Sequence, residues 1–125
     1  MMSLHLLFVY NENSDLFSSV TGFAHKIISP QTYNCSLCTL TYGNLTMKQE
    51  WKKFLKALTA VKTFLHKDEF ERQYKQSFAL PAIFYLKENR PVVLMTADQI
   101  NSCTSLNEFM TALLQQIQLL ESYSV

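Results

Sequence analysis

The residues most suited to chemistry by type and spacing are Cys35 and Cys38, in the run Cys35-Ser36-Leu37-Cys38. Two thiols three positions apart can form a redox dithiol or supply half of a zinc site. A structural zinc site needs four ligands. His25 is the one further ligand type expected near this pair, so the set stops short and no metal is expected. His25 is equally well explained as a helix-terminal histidine favoured by the dipole. Cys103 and His66 are the residue types of a nucleophile and its base, but no neighbouring signature accompanies them. A second group consists of Gly43, Asn44, Thr46, His66 and Pro81. A helix starting near Thr46 would present free backbone N–H groups, suited to a carboxylate, a phosphate or a peptide backbone.

The apolar pattern supplies the elements that must position these residues. Residues 4–10 form a short apolar run ended by Asn11-Glu12-Asn13-Ser14, which predicts a buried strand. Behind a Ser14 cap, Leu16, Val20, Phe23, Ala24 and Ile27 recur at helical spacing, and Ser29-Pro30 closes that helix. Residues 35–42, rich in Thr and apolar side chains, predict a second strand broken by Gly43-Asn44. Thr46 and Gln49 have capping-box spacing, and Met47, Trp51, Phe54, Leu55 and Leu58 continue as a helical stripe. Residues 61–65 predict a third strand, and Phe70 and Tyr74 mark a short helix within 67–78.

Pro81 opens a strand over 82–86, Lys87-Glu88-Asn89-Arg90 is a turn, and 92–96 returns as the antiparallel partner. Ser105 and Glu108 repeat the capping box before a last helix whose apolar face includes Phe109, Leu113 and Ile117. The predicted order is βαβαβαββα, an α/β chain with a mixed central sheet, helices on both faces and a C-terminal antiparallel hairpin. Phe64, Ile83, Phe84, Trp51, Phe54 and Leu113 are expected in the core. In this arrangement Cys35 begins the second strand and Gly43 follows its end. Seven strand residues span roughly 23 Å, so Cys35 and Cys38 are expected at the opposite end of the sheet from Pro81.

Bulk properties bound the function. A chain of 125 residues fits one domain, 1–125, and 48% apolar content supports a real core. Charged residues are 17%, below the usual ~25%, which excludes a disordered chain. A net charge of +1 makes no whole-chain case for nucleic acid. Lys48, Lys52, Lys53, Lys56, Lys62 and Lys67 face Glu50 alone and read as a solvated basic face, so a nucleic-acid partner is not expected. No apolar run approaches the roughly 20 residues that cross a bilayer, and the N-terminus carries no secretory pattern. A cytoplasmic location with reduced thiols is the expectation. Three cysteines cannot complete a disulfide framework, and neither a Gly-rich phosphate loop nor any other cofactor motif is present.

The order of elements resembles the thioredoxin fold over nearly the whole chain, most closely from Val61 onward through Lys67-Asp68-Glu69 and Leu80-Pro81-Ala82-Ile83-Phe84-Tyr85. The resemblance implies a three-layer α/β/α domain. It also implies a cis-proline at Pro81, opening the strand after the short helix and facing the active site. Within this superfamily the chain also resembles a small bacterial family to which no activity is attached. The chain departs from the family pattern at the redox centre. Thioredoxins carry Cys-x-x-Cys after the second strand, where this chain reads Tyr42-Gly43-Asn44-Leu45-Thr46-Met47. In the register of the glutaredoxin core, after the first strand, it reads Asn11-Glu12-Asn13-Ser14.

The expected function is therefore a thioredoxin-like binding or scaffold domain, with Gly43, Asn44, Thr46, His66 and Pro81 holding a peptide, a protein partner or a small anionic ligand. The alternative is an atypical thiol–disulfide oxidoreductase using Cys35 and Cys38. The oligomeric state is not specified by any feature of the sequence.

Overall fold

Strand β1, His5–Tyr10, is apolar on both sides because helices cover both of its faces. Leu6, Phe8 and Tyr10 enter one core and Leu7 and Val9 the other, the period-two alternation of an extended chain. The computed structural model describes residues 4–11, 36–42 and 47–123. The remaining strands are β2, Val61–His66, β3, Ala82–Lys87, and β4, Arg90–Met95. The described helices are α1, Ser36–Thr41, α2, Gln49–Ala57, α3, Lys67–Tyr74, α4, Ala97–Asn101, and α5, Leu106–Tyr123.

The four strands form one mixed sheet in the order β2-β1-β3-β4. β1 and β2 are parallel, with Tyr10 opposite His66, while β3 runs antiparallel to β1, with Val9 opposite Ala82. The expected hairpin is present: β3 and β4 pair antiparallel, with Lys87 opposite Arg90. Its two turn residues, Glu88 and Asn89, have φ of 53° and 65°. Positive φ at both central positions matches the twist of the flanking strands. The Leu80–Pro81 peptide is cis, as expected.

The larger core joins the sheet to α1, α2, α4 and α5 through Leu37, Trp51, Leu55, Ile100, Phe109 and Leu113, among others. Trp51 is its centre, with ring centroids 5.7 Å from Phe8, 5.6 Å from Phe54 and 5.5 Å from Phe109. The smaller core lies on the opposite face, where α3 places Phe70 against Phe84 at 4.8 Å. Ile83, Phe84, Trp51 and Leu113 are buried as expected, and Phe54 and Phe64 pack partly buried at the margin of the larger core.

The predicted second strand is overturned. Residues 36–41 form helix α1, so the described order is β-α-α-β-α-β-β-α-α and the parallel neighbour of β1 is β2. Leu37, Cys38, Leu40 and Thr41 are the buried residues of α1, a set of positions that one helix face can present. The Thr41 hydroxyl donates to the carbonyl of Leu37 at 2.7 Å, satisfying inside the helix a group that would otherwise be buried unpaired. Burial on one helical face outweighed the strand propensity of Thr and apolar residues.

Two caps also differ. α2 begins at Gln49 with Lys48 at its N-cap and no side-chain cap, so the helix does not start from Thr46. Glu108 donates its N–H to Ser105 Oγ as expected, but its carboxylate accepts from the N–H of Thr104 at 3.1 Å and from the Thr104 hydroxyl at 3.3 Å. Helix α4 was not expected. The predicted helix within 14–28 lies outside the described residues, and no helix among the described residues is long and apolar enough to cross a membrane.

Candidate functional site

The register brings four strand ends together. Tyr10 and His66 end the parallel pair, Pro81 precedes Ala82 at the start of β3, and Met95 lies opposite Ile83. His66 and Pro81 thus share one end of the sheet, as expected. Gly43, Asn44 and Thr46, expected beside them, lie outside the described residues, as does Cys35.

His66 is held by its own helix. It is the N-cap of α3, and Glu69 Oε1 accepts its backbone N–H at 2.8 Å while lying 2.8 Å from Nδ1. The backbone hydrogen bond, then the imidazole contact, hold the Glu69 carboxyl below its ordinary value. An ionised carboxylate only accepts, so Nδ1 carries the hydrogen of this contact. The Tyr10 ring lies 5.7 Å from the imidazole, and Tyr42 meets Tyr10 edge-on at 6.4 Å. Burial pushes the Tyr42 hydroxyl up, partly offset by its hydrogen bond with Tyr10.

Pro81 itself is buried. Beside it is an apolar hollow of about 150 Å³, lined by Phe78, Ala79, Ala82, Val93, Thr96 and Ala97, with the carboxylate-bearing Asp98 at its margin.

Cys38 is fully buried in the larger core and disulfide-bonded, whereas Cys103 is a free thiol. The carbonyl of Cys38 accepts the N–H of Tyr42 at 2.9 Å. Tyr42 packs on Tyr10, so α1 ends at the same end of the sheet that carries His66 and Pro81. The expected separation of Cys38 from Pro81 required a strand over 35–42 and falls with it. At its other end, Ser36 donates its hydroxyl to Asn101 Oδ1 of α4.

The Cys103–His66 nucleophile pairing is not supported. His66 ends the β2 edge strand, whereas Cys103 follows the chain out of β4 at the opposite edge. Burial, and then the charge of Glu108, push the Cys103 thiol up, the reverse of what an activated nucleophile requires. Among the described residues, no three His, Cys, Asp or Glu side chains gather as a metal site, and Cys38 in a disulfide offers no thiolate. Sequence reasoning missed Tyr10 and Tyr42 as partners of His66, although both border the residues it singled out. It also missed α4, for which the Thr96–Gln99 capping-box spacing was the available signal. In comparisons with known proteins, no family model, no curated protein and no solved structure matches the chain.

Proposed function

We propose that this chain is a thioredoxin-like domain that carries out thiol–disulfide exchange at Cys35 and Cys38. The observation that carries this reading is the disulfide of Cys38, on a helix between β1 and β2 whose last turn meets the Pro81 end of the sheet. The thioredoxin-like part draws on the mixed sheet with helices on both faces, the C-terminal hairpin, and a proline opening the strand after a short helix. Cys35 and Cys38 fall in the connection between the first strand and its parallel neighbour, away from the glutaredoxin-register position Asn11-Glu12-Asn13-Ser14, which makes the exchange centre an atypical one. The cytoplasmic location expected from the sequence points the same way. Disulfides there are usually transient and catalytic rather than structural.

The test is equilibration of the folded protein with graded mixtures of reduced and oxidised glutathione, quenched with acid and read by mass. The expected result is reversible opening of the Cys38 disulfide, reduction of a disulfide substrate such as insulin, and loss of both in Cys38→Ser. A Cys38 disulfide that stays closed across the whole range while the fold persists overturns the reading.

The hollow beside Pro81 favours a second reading, a binding domain for an extended peptide with no turnover. Its largely apolar lining and the carboxylate of Asp98 support a peptide over a small anion. The two separate by comparing wild type with Cys35→Ser/Cys38→Ser: exchange lost in the variant supports the first reading, whereas no exchange in wild type together with peptide binding equal in both favours the binding domain alone.

A further inference from the structure

We propose that the outer edge of β4 takes an extended peptide as an added antiparallel strand, with an apolar side chain in the hollow beside Pro81 and a basic side chain, two residues before it, beside Asp98. This rests on the peptide reading of that hollow and names the form and chemistry of the partner. β4 ends the sheet order β2-β1-β3-β4, so among the described strands one side of its backbone has no neighbour. The hairpin register shows which groups face that side. Lys87 and Arg90 flank the two turn residues Glu88 and Asn89, and residues that close such a turn hydrogen-bond to each other. Bonded and unbonded pairs alternate along an antiparallel ladder. Pro91, opposite Leu86, therefore turns its nitrogen outward, where a proline removes no bond from the sheet. Val93, opposite Phe84, turns its N–H and C=O outward in the same way.

The Val93 side chain joins this edge to the hollow, which it lines with Phe78, Ala79, Ala82 and Thr96. Directly opposed residues of an antiparallel pair put their side chains on one face. The incoming residue opposite Val93 thus makes both backbone bonds and sets its own side chain at the hollow. Phe78, Val92 and Val93 are exposed at this edge, and an added strand covers apolar surface there. The next incoming side chain on the same face, toward the end of β4, approaches Asp98. Asp98 is exposed, and among the described residues no basic side chain pairs with it. Lys or Arg suits that place by charge. A second copy of this chain is a poorer occupant. Pairing β4 with β4 would bring a second Pro91 to the edge and leave a further bond without a donor, whereas a proline-free peptide adds no such gap.

The probe is a capped, dye-labelled threonine peptide with one central leucine and a lysine two residues before it, titrated into the full chain by fluorescence anisotropy. Exchange of the Val93 amide hydrogen is followed by NMR with and without the peptide. The expected result is saturable binding, slower exchange at Val93, and binding weaker by roughly tenfold when the leucine nitrogen is methylated. Glutamate in place of the lysine should also weaken binding, and Asp98→Asn should remove most of that preference. Equal binding of the methylated and unmethylated peptides, with Val93 exchange unchanged, overturns strand addition and leaves the peptide reading of the hollow standing. Binding indifferent to lysine or glutamate in the wild type overturns the role given to Asp98. A dimeric mass in sedimentation, with the Val93 amide already protected in the free protein, puts a second copy on the edge and overturns the inference. Absence of binding by this peptide overturns it too, and absence of binding across a randomised library of extended peptides overturns the peptide reading beneath it.

Discussion

One carboxylate oxygen of Glu69 serves both the backbone N–H and Nδ1 of His66, and a single proton on Glu69 would weaken both contacts. Its pKa is lowered from 4.5 in the folded chain. The stabilisation is therefore complete above the ordinary carboxylate range and is lost as pH falls from that value through the folded one. Glu69→Gln cannot ionise. The gap in urea midpoint between wild type and this variant should be widest near neutral pH and shrink on acidification. A gap that stays constant with pH would show that the carboxylate charge does not stabilise the fold. Cys103 gives a second prediction at this scale. Glu108 helps to hold its thiol up, and Glu108→Gln removes the charge while keeping an oxygen for the Thr104 N–H. More thiolate should then exist at mildly alkaline pH, and iodoacetamide should label Cys103 faster than in wild type. Equal rates would assign the shift to burial alone.

Among the elements, α2 and α4 are held by different forces, and substitution should separate them. Trp51 anchors α2 between Phe8 and Phe109 at 1% exposure, so Trp51→Ala should cost about 3–5 kcal/mol. Thr96 caps α4 by accepting the N–H of Gln99 at 3.2 Å, at an exposed position, and Thr96→Ala should cost about 1 kcal/mol. Denaturant midpoints of the two variants check both figures, and near-equal losses would contradict the placement of Trp51. The elements legible in the sequence were those whose pattern has one reading. β1, the hairpin and α5 have unambiguous periodicity or turn residues, and Pro81 marks where β3 begins. Helix α1 was not legible because six residues with Leu37, Leu40 and two threonines fit either period. Only the packing of Leu37 and Cys38 under the sheet decides it. That one error had a long reach: it carried Cys38 to the opposite end of the sheet from Pro81, and so set the exchange chemistry second to ligand binding. His66 and Pro81 were rightly grouped, since strand ends follow from strand order. Their contacts with Glu69, Tyr10 and the hollow depend on side-chain packing that spacing alone does not encode.

At the scale of the whole molecule, the two cores lie on opposite faces of the sheet, and β1 and β3 each supply side chains to both. Leu7 and Val9 face Phe70 and Phe84 while Leu6, Phe8 and Tyr10 face the helices of the other layer. A loss on the α3 face is therefore passed to Trp51 through the strands whose side chains enter both cores, β1, β2 and β3. If the sheet is a single cooperative unit, the layers unfold together. Phe70 is fully buried in the smaller core, and Phe70→Ala should cost about 3–5 kcal/mol. Domains of this kind have roughly 5–15 kcal/mol in total, so the variant should remain folded in mild conditions with a much lower midpoint. Trp51 provides a local probe of the other layer, because it is the only tryptophan in the chain and belongs to the larger core. Its fluorescence and the far-UV circular dichroism of the whole chain should shift to the same new urea midpoint in Phe70→Ala. A circular dichroism transition that moves while the Trp51 transition stays at its wild-type position would mean that α3 and its core unfold alone. The end of the sheet carrying His66 and Pro81 would then open independently of the helix that carries Cys38.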